Sequence, residues 1–405
     1  MNTLKLGCIG TGNICRHGHL PQFALLSGLE VTAFYDKDME AARYAREIYL
    51  SLLEKTGRQI IPDMVSVCGT AEELFEKVDA VDICTSLRYH AYYAAMALDR
   101  GISAMSEKPM ARTWLEGNRV AKSAAASKGF YQLNDDNLFI PRFLTAKALV
   151  DGGWIGDVLS MRIARGSPSS DRAEWFYDPM EGGGGAIQDY GSHAVAGAWS
   201  IIGFDKQPEI VRSMGIFTRE KTRVVNGRMR NINIDDDAHF KVLFRDPVSR
   251  DWIDVSIEAT WTHQHFGLGS SDVDGYLEIE GSLGRLSSYK DDEGSDYIKI
   301  TSRTLGERLI PVKSVGSEEY SFSSEFSNFL NSVNAGIVPF LSADTGALTI
   351  AVINAAQLSE QQGRIAVEIA ELRRFSERYL EKTADIWTAS DKLILDLNRQ
   401  FTRQL

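Results

Sequence analysis

The chain begins with a short apolar run that ends in a glycine-rich turn, "LKLGCIGTGN", residues 4–13. Stretches in which Ala, Leu, Ile and Tyr recur at intervals of three and four residues then separate three further apolar, β-branched runs. Those runs are "LEVTAFYD", "AVDICTS" and "GISAMSEKP". Strands that alternate with helices of these lengths are typical of a parallel, doubly wound sheet. We therefore expect an α/β domain over residues 1–136.

The turn Gly10-Thr11-Gly12-Asn13-Ile14-Cys15 is close to a dinucleotide-binding fingerprint, although Cys15 stands where Gly or Ala is usual. Asp36 ends the second predicted strand, where a carboxylate accepts hydrogen bonds from the adenosine ribose and repels a 2′-phosphate. The sequence thus predicts a Rossmann domain that binds NAD(H) rather than NADP(H). Lys37 leaves dual use open, and an ordinary loop aspartate is the alternative. The predicted cofactor residues of this region are Gly10, Gly12, Asn13, Ile14 and Asp36.

Two polar segments, "CTSLRYH" (84–90) and "SEKPMA" (106–111), directly follow predicted strands. Ligands bind at the carboxyl ends of strands in open α/β sheets. Lys108 precedes proline, which favours an extended turn over a helix. Thr85, His90, Glu107 and Lys108 are therefore further candidates for the cofactor site. A surface ion pair between Glu107 and Lys108 is the alternative.

A third segment, "GGGGAIQDYGSH", residues 182–193, joins four glycines to an aspartate and a histidine. Glycine allows a backbone to approach a ligand closely. A helix that begins at Ala186 places Asp189 and His193 on one face, one turn apart. Such a carboxylate and imidazole suit acid–base chemistry. The alternative is a glycine-rich loop before a core helix whose histidine has a structural role.

Strand signals dominate after residue 136, including a hairpin turn at Asn226-Gly227 and the alternating apolar residues of "IDVSIEATW". We predict an α+β domain over residues 137–369, with a large, open, mostly antiparallel sheet that helices cover on one face. Its other face is a natural oligomer contact. Trp261, His263 and His265 are predicted at a strand end, within reach of a substrate or a neighbouring subunit. No role is predicted for His17, His19 or His239.

Residues 370–405 carry apolar residues at spacings of three, four and seven, which indicates one long amphipathic helix or two shorter ones. Such a helical C-terminal extension packs either on its own subunit or across an oligomer interface. The apolar residues are Leu372, Phe375, Tyr379, Ile386, Leu393, Leu397 and Phe401.

Composition narrows the functional classes. The formal net charge of -11 disfavours nucleic acid as a partner. No stretch approaches the roughly 20 apolar residues that a membrane span needs, and a strand begins too early for a signal peptide. The four cysteines show neither a CxxC motif nor a Cys/His cluster in sequence, so we expect free thiols, no metal and a cytoplasmic location.

Together these motifs resemble the glucose–fructose oxidoreductase/inositol dehydrogenase (Gfo/Idh/MocA) family over residues 3–369. The resemblance rests on the glycine turn, on Glu107-Lys108-Pro109 and on "GGGAIQDYGSH". Two departures stand out. Ser86 follows Thr85 where the family often has proline, and Leu138 replaces an arginine in "QLNDDNLFIPRF".

The resemblance implies an NAD-dependent oxidoreductase that transfers a hydride to or from a secondary alcohol of a sugar or cyclic polyol. Lys108, His193 and Asp189 are the implied catalytic residues, and Lys108 and His193 are expected to converge on a cavity beside the nicotinamide. Which of these two is the base stays open. Asp189 and His193 would also bind substrate, and Trp175 and Tyr177 suit the apolar face of a sugar ring or the core. A homodimer or homotetramer is expected.

Two other functions fit the same residues. One is an NAD-dependent glycosidase that oxidises C3 transiently and then eliminates the glycosidic bond. The other is a non-catalytic protein that senses a dinucleotide.

Overall fold

A computed structural model describes residues 3–58, 65–167, 173–262, 276–312, 317–383 and 385–402. Their contacts divide the chain into two compact units. The first comprises residues 1–111, 116–136 and 316–347, and the second comprises residues 112–115, 137–315 and 348–405. The first unit thus includes a segment that lies far beyond residue 136 in sequence. The boundaries at residues 136 and 369 stay predictions.

The first unit contains a parallel sheet that has six strands within the described residues. The strands are β1 (Leu4–Ile9), β2 (Leu29–Tyr35), β3 (Ser66–Val67), β4 (Ala80–Ile83), β5 (Ser103–Glu107) and β6 (Tyr131–Asn134). Their spatial order is β3-β2-β1-β4-β5-β6, the doubly wound order of a Rossmann sheet. This confirms the predicted architecture and adds β3 and β6, which the sequence analysis did not identify.

Thirteen α-helices lie in the described part of the two units. In chain order they are α1 (Leu20–Leu25), α2 (Met39–Lys55), α3 (Ala71–Phe75), α4 (His90–Leu98), α5 (Trp114–Ala126), α6 (Pro141–Asp151), α7 (Pro179–Gly182), α8 (Ala186–Ile202), α9 (Ser317–Ala335), α10 (Ala343–Gln361), α11 (Ile369–Leu380), α12 (Ile386–Leu397) and α13 (Arg399–Thr402). Side chains cap α2 and α3 at their N-termini. The Asp38 carboxylate accepts a hydrogen bond from the N–H of Glu40, and the Thr70 hydroxyl accepts one from the N–H of Glu73.

The core of the first unit lies between its sheet and its helices. Leu6, Phe34 and Tyr49 are buried in it. Phe326 and Phe329 of α9 enter the same core although they lie almost 300 residues later in sequence than β2. The apolar period of α9 indicates a buried face, but the sheet on which that face packs is decided by the tertiary structure.

The second unit contains a mixed sheet, nine strands wide in the described part of the chain. Its strands are β7 (Val158–Gly166), β8 (Gln207–Phe217), β11 (Asp237–Arg245), β12 (Trp252–Thr260), β13 (Tyr276–Gly281), β14 (Gly284–Lys290), β15 (Asp296–Ser302), β16 (Gly306–Pro311) and β17 (Val367–Glu368). The order is β16-β15-β14-β13-β7-β12-β11-β8-β17, and only β7 and β12 pair in parallel. The predicted mostly antiparallel sheet is confirmed.

The predicted hairpins of this unit are also present. A separate hairpin joins β9 (Thr222–Val225) to β10 (Arg228–Asn231) through Asn226 and Gly227, both at positive φ as a two-residue turn requires. In β12 the inward residues Ile253, Val255 and Ile257 are buried, which confirms the alternation seen in sequence.

Helices α6, α8 and α11 contact strands of the large sheet, with α8 packed directly on β7 and β12, and α12 packs on α11. The predicted C-terminal extension consists of two helices and a short third one. All seven of its predicted apolar residues belong to or pack against the core of the second unit. Its apolar face is therefore covered within the same subunit. No helix in the described part of the chain is long and apolar enough to cross a membrane.

A buried carboxylate caps the N-terminus of α8. Asp235 accepts hydrogen bonds from the N–H groups of Gly185 and Ile187 at 2.7 and 2.8 Å. Its burial raises the pKa of this carboxyl to about 6, against the opposing effect of the two N–H donors. The start of α8 thus depends on a side chain that lies about 50 residues away in sequence.

We predict that Asp235 makes stability fall as pH rises from about 4 to about 6. In that window the folded chain keeps a proton that the unfolded chain has released, because the folded pKa is the higher one. In Asp235→Asn this contribution, on the order of 3 kcal/mol over the whole window, should disappear. Urea unfolding at a series of pH values measures it. Asp292→Asn, at an exposed position, controls for the loss of one charge, and parallel curves for wild type and Asp235→Asn would contradict the prediction.

Candidate active site

The glycine turn after β1 closely contacts the end of β4. Gly10 has φ of +82°, and a Cβ at this position would lie 2.7 Å from the backbone of Cys84 and Thr85. Only glycine fits this position. A Cβ at Gly12, in contrast, would meet no atom within 4 Å. Gly10 therefore serves the fold, whereas Gly12 leaves open space at the surface of the turn.

The residues that follow Gly12 are exposed at the start of the first helical segment. Asn13 and Ile14 are both exposed, and Ile14 leads into a π-helical turn, Cys15–His19, that continues as α1. Exposed backbone N–H groups at the start of a helix suit an anion such as a pyrophosphate. Gly12, Asn13 and Ile14 are exposed at this turn, and their role as cofactor-binding residues stays a prediction.

Asp36 connects the end of β2 with the glycine turn. Its Oδ2 accepts hydrogen bonds from the backbone N–H and the hydroxyl of Thr11 at 2.7 and 3.1 Å, and its Oδ1 accepts from the N–H of Asp38 at 3.0 Å. The carboxylate is half-buried. Each carboxylate oxygen has two lone pairs, so Oδ2 is fully used and Oδ1 retains capacity for a ribose hydroxyl.

His90 joins the two polar segments that follow β4 and β5. Its Nδ1 lies 2.8 Å from the carbonyl oxygen of Pro109, and its Nε2 lies 3.0 Å from that of Thr85. Burial lowers the pKa of this imidazole although both carbonyls act in the opposite direction. His90 therefore positions the two loops through protein contacts, and direct contact with a cofactor stays a prediction.

The sequence analysis assigned no role to His19, but the structure places it at the centre of the first unit. Its Nδ1 lies 2.9 Å from Asp82 Oδ2, and its Nε2 lies 3.0 Å from Glu107 Oε1. Burial alone would lower the pKa of His19, but the two carboxylates outweigh it and raise the pKa well above its usual value. Glu107, and with it the half-buried Lys108 that follows, is thus held by a buried histidine.

The sequence shows no Cys/His cluster, but the fold brings cysteines and a histidine together. All four cysteines are free, as expected. Cys84 Sγ nevertheless lies 3.3 Å from His19 Nδ1, and hydrogen bonds from Cys8 and Cys84 lower the pKa of Cys15 to about 5. Positions 8, 15, 19 and 84 follow no metal-binding spacing, so only the fold reveals that they meet.

In the second unit the glycine-rich loop before α8 packs tightly against the protein itself. A Cβ at Gly183 would lie 2.9 Å from the Cβ of Arg112, and one at Gly185 would lie 1.7 Å from the carbonyl oxygen of Asp235. All four glycines, residues 182–185, are buried. We expected them to let the loop approach a ligand. Instead, Gly183 and Gly185 are required by contacts with the chain's own backbone and side chains.

Asp189 and His193 lie one turn apart on α8, as predicted, and both side chains are buried. The indole Nε1–H of Trp261 donates a hydrogen bond to Asp189 Oδ2 at 2.9 Å. Trp261, at the end of β12, is itself buried and fixes the orientation of the carboxylate. Sequence reasoning placed Trp261 at a strand end but did not find this contact. The neighbouring His263 and His265 lie outside the described residues.

The aromatic loop Glu174–Tyr177 packs beside Trp261. Tyr177 meets Trp261 edge-on with ring centroids 5.9 Å apart, and the Tyr177 hydroxyl is buried with no hydrogen-bond partner among the described residues. Trp175 stacks on Phe176 at 3.9 Å. The second unit thus brings Asp189, Trp261 and Tyr177 together. Trp175 is linked to this group through Phe176, which contacts Trp261.

Two histidines have no contact with these residues. His17 is exposed in the π-helical turn. His239, on β11, is 3.1 Å from Asp237, and this hydrogen bond raises its pKa. The predicted site residues therefore fall into two sets. The first unit holds Gly10, Gly12, Asn13, Ile14, Asp36, Thr85, His90, Glu107 and Lys108, and the second holds Asp189, His193, Trp175 and Tyr177.

Comparison with protein families agrees with this geometry. Residues 4–134 match a model described as oxidoreductase family, NAD-binding Rossmann fold. Residues 143–287 match the GFO/IDH/MocA C-terminal domain. The chain therefore belongs to the GFO/IDH/MocA oxidoreductase family, and its first domain is of the NAD-binding Rossmann type.

Individual relatives are more distant. D-glucoside 3-dehydrogenase of Escherichia coli K12 is 25% identical over 203 residues, 50% of this chain and 54% of that protein. Inositol 2-dehydrogenase of Gluconacetobacter diazotrophicus is 30% identical over 160 residues, 39% of this chain and 44% of that protein. The matches thus span about half the length of these curated relatives.

Among solved structures, an oxidoreductase domain protein from Kribbella flavida superposes with a TM-score of 0.74. It is 23% identical, and the match covers 91% of this chain and 100% of that one. This likeness supports the fold of the whole chain.

We predict that Gly10→Ala and Gly12→Ala act in different ways. Gly10→Ala should destabilise the fold by at least about 1–2 kcal/mol, because its φ is positive and its Cβ meets backbone. Gly12→Ala should leave stability nearly unchanged but weaken NADH binding, because its Cβ occupies the space that a pyrophosphate approaches. Thermal unfolding without cofactor and fluorescence titration with NADH measure the two effects. Wild-type affinity in Gly12→Ala would show that the cofactor does not approach this turn.

We also predict that Trp261→Phe destabilises the chain more than Trp199→Phe. Both indoles are buried and each donates one hydrogen bond, at 2.9 Å to the Asp189 carboxylate and at 2.7 Å to the Lys206 carbonyl. A bond to a charged group contributes about 1.5–3 kcal/mol, whereas a neutral bond contributes about 1 kcal/mol. Urea unfolding of the two variants gives the difference. An equal or larger loss in Trp199→Phe would mean that the Asp189 contact contributes no charge-assisted bond.

Proposed function

We propose that this chain is an NAD(H)-dependent dehydrogenase that acts on a secondary alcohol of a sugar, sugar derivative or cyclic polyol. One observation carries the proposal. In a chain with an NAD-binding first domain, the second unit holds a buried carboxylate, Asp189, oriented by Trp261 one turn before a buried histidine, His193. Such a pair can position a hydroxyl and accept its proton.

The residues of the first unit fit an NAD molecule. Gly12 leaves the glycine turn open to a pyrophosphate, and Asp36 offers its Oδ1 to a ribose hydroxyl. The Asp36 carboxylate favours NAD over NADP by repelling a 2′-phosphate. When bound, the nicotinamide ring accepts or returns the hydride.

Lys108 and His193 have different roles at the reacting hydroxyl. The Lys108 ammonium donates a hydrogen bond to the substrate oxygen, where negative charge develops as the hydride leaves. The imidazole of His193 takes the hydroxyl proton and returns it in the reverse direction. Glu107 directly precedes Lys108, and its 3.0 Å contact with His19 fixes the start of the turn that carries Lys108.

The substrate side is assigned to the second unit. Asp189 has one oxygen fixed by Trp261, so its remaining lone pairs can accept hydrogen bonds from a second substrate hydroxyl. Tyr177, whose ring contacts Trp261, has a buried hydroxyl that is a further donor. Adjacent hydroxyls on a ring match this arrangement. The names of the two relatives, a D-glucoside 3-dehydrogenase and an inositol 2-dehydrogenase, support cyclic polyols as the substrate class.

The substrate class is tested with a panel of inositols, aldoses and alkyl glucosides, each with NAD⁺ and with NADP⁺, followed by nicotinamide absorbance. We expect NADH to form with at least one cyclic polyol and faster with NAD⁺ than with NADP⁺. The panel includes a nitrophenyl glucoside. Release of nitrophenol without net NADH would identify the NAD-dependent glycosidase instead. NADH binding without turnover on any compound would favour a dinucleotide-sensing protein.

We predict that Lys108→Ala and His193→Ala each reduce turnover by about 10² or more while the chain still binds NADH, because each removes a positioned proton-transfer or charge-stabilising group. Lys122→Ala is the matched control, since this exposed lysine lies outside the proposed site and its loss should leave turnover unchanged. Steady-state rates and NADH titration measure both properties. Wild-type turnover in Lys108→Ala and His193→Ala would refute the assignment.

Oligomer formation is proposed through the uncovered face of the nine-stranded sheet. His239, Lys241 and Tyr276 present polar side chains on that face from neighbouring parts of the sheet. A homodimer or homotetramer is expected on family resemblance.

A further inference from the structure

Five side chains with metal-binding atoms meet beneath the glycine turn of the first unit, and all are buried. They come from β1, from the π-helical turn that follows the glycines and from the end of β4. The five are Cys8, Cys15, His19, Asp82 and Cys84. None of these cysteines has a part in the proposed dehydrogenase chemistry.

Two overlapping groups make up this cluster. In the first, His19 Nδ1 lies 2.9 Å from Asp82 Oδ2, and Cys84 Sγ lies 3.3 Å from each of these atoms. In the second, the ligand atoms of Cys8, Cys15 and Asp82 lie within 4.8 Å of one another. Asp82 belongs to both groups. The cluster is therefore continuous.

We propose that this cluster is a binding site for one thiophilic d¹⁰ metal ion, Zn²⁺ or Cu⁺, held by His19 and Cys84 together with Asp82 or Cys15. Thiolate, imidazole and carboxylate are the ligands that zinc uses in proteins, and thiolates also select Cu⁺. Tetrahedral bonds of about 2.0–2.3 Å would separate neighbouring ligand atoms by roughly 3.3–3.8 Å. The observed separations of 2.9–3.3 Å reach that range with small side-chain movements.

The second contact of His19 supports this assignment. A histidine that binds a metal almost always donates its other ring N–H to a carboxylate or carbonyl, which directs the free lone pair at the metal. His19 has this arrangement, because Nε2 lies 3.0 Å from Glu107 Oε1 and Nδ1 faces Asp82 and Cys84. Glu107 is thus placed as the outer partner of a metal-bound imidazole.

An unpartnered oxygen supports it independently. Asp82 Oδ1 is buried and has no hydrogen-bond partner among the described residues. Asp82 as a whole is 0% exposed in the central part of a parallel sheet. A buried carboxylate oxygen without a partner is unfavourable unless a cation lies beside it. His19 contacts the other oxygen, Oδ2, and a metal ion that replaces the Nδ1 proton of His19 would be the cation beside Oδ1.

The site would have a structural role. It would link β1, the π-helical turn and β4 at the point where the glycine turn begins, and through Glu107 it would reach the turn that carries Lys108. Cys15 is the residue that departs from the small Gly or Ala of the dinucleotide fingerprint, and a metal ligand accounts for a thiol at this position.

The test uses the full-length chain and does not depend on catalytic activity. The chain is loaded separately with Zn²⁺, with Cu⁺ under anaerobic conditions and with Co²⁺ as a spectroscopic probe, then desalted and analysed for metal content. We expect one ion of Zn²⁺ or Cu⁺ to be retained per chain, and thiolate-to-cobalt charge-transfer bands with Co²⁺. The ion retained against a matched chelator distinguishes zinc from copper.

Serine variants provide the matched comparison. Cys15→Ser and Cys84→Ser should lose the bound ion and the charge-transfer bands, whereas Cys68→Ser should keep both, because Cys68 is buried in the same unit but outside the cluster. Circular dichroism shows whether each variant folds. If Cys15→Ser does not fold, the comparison rests on Cys84→Ser. Glu107→Gln should weaken metal affinity by about 10–100-fold. Absence of a retained ion in the wild type, or unchanged binding in folded Cys15→Ser and Cys84→Ser, would overturn the proposal.

Discussion

The first unit depends on a buried imidazole held between two carboxylates. His19 contacts Asp82 at the end of β4 and Glu107 at the end of β5; the Asp82 contact is fully buried and the Glu107 contact is partly buried. A low dielectric constant strengthens such contacts, so the loss of either partner strongly destabilises the folded state. Because Glu107 precedes Lys108, the same interaction fixes the proposed catalytic turn relative to the glycine turn that precedes His19. The proposed cofactor turn and the proposed catalytic turn thus share one support.

In the second unit, a capped helix positions the proposed site residues. Asp235 accepts from the first N–H groups of α8, and Trp261 orients Asp189 on the first turn of that helix. Gly185 is required because Asp235 lies against its backbone. The glycines of this loop therefore allow the helix to dock, and the polar residues it carries are oriented by neighbours from distant strands. A precise site on a rigid helix needs such outer partners.

Local patterns were sufficient for most secondary structure and for the identity of the candidate residues. The Asn226-Gly227 hairpin, the alternation in β12 and the cap at Thr70 each follow from a few neighbouring residues. The two strands that were missed, β3 and β6, have only two and four residues, too few for a period to show. The packing of Phe326 on the first sheet was missed for a different reason, since its partners lie in a remote part of the sequence.

The sequence by itself determined the doubly wound first domain, the mostly antiparallel second sheet and the placement of Asp189 and His193 on one helical face. These follow from periodicity and spacing, which are properties of neighbouring residues. Only the tertiary structure decided that His19 meets Asp82 and Glu107, that Trp261 holds Asp189, and that three separated cysteines share one cluster. Contacts between residues tens to hundreds of positions apart depend on strand order and packing, and no local pattern encodes them.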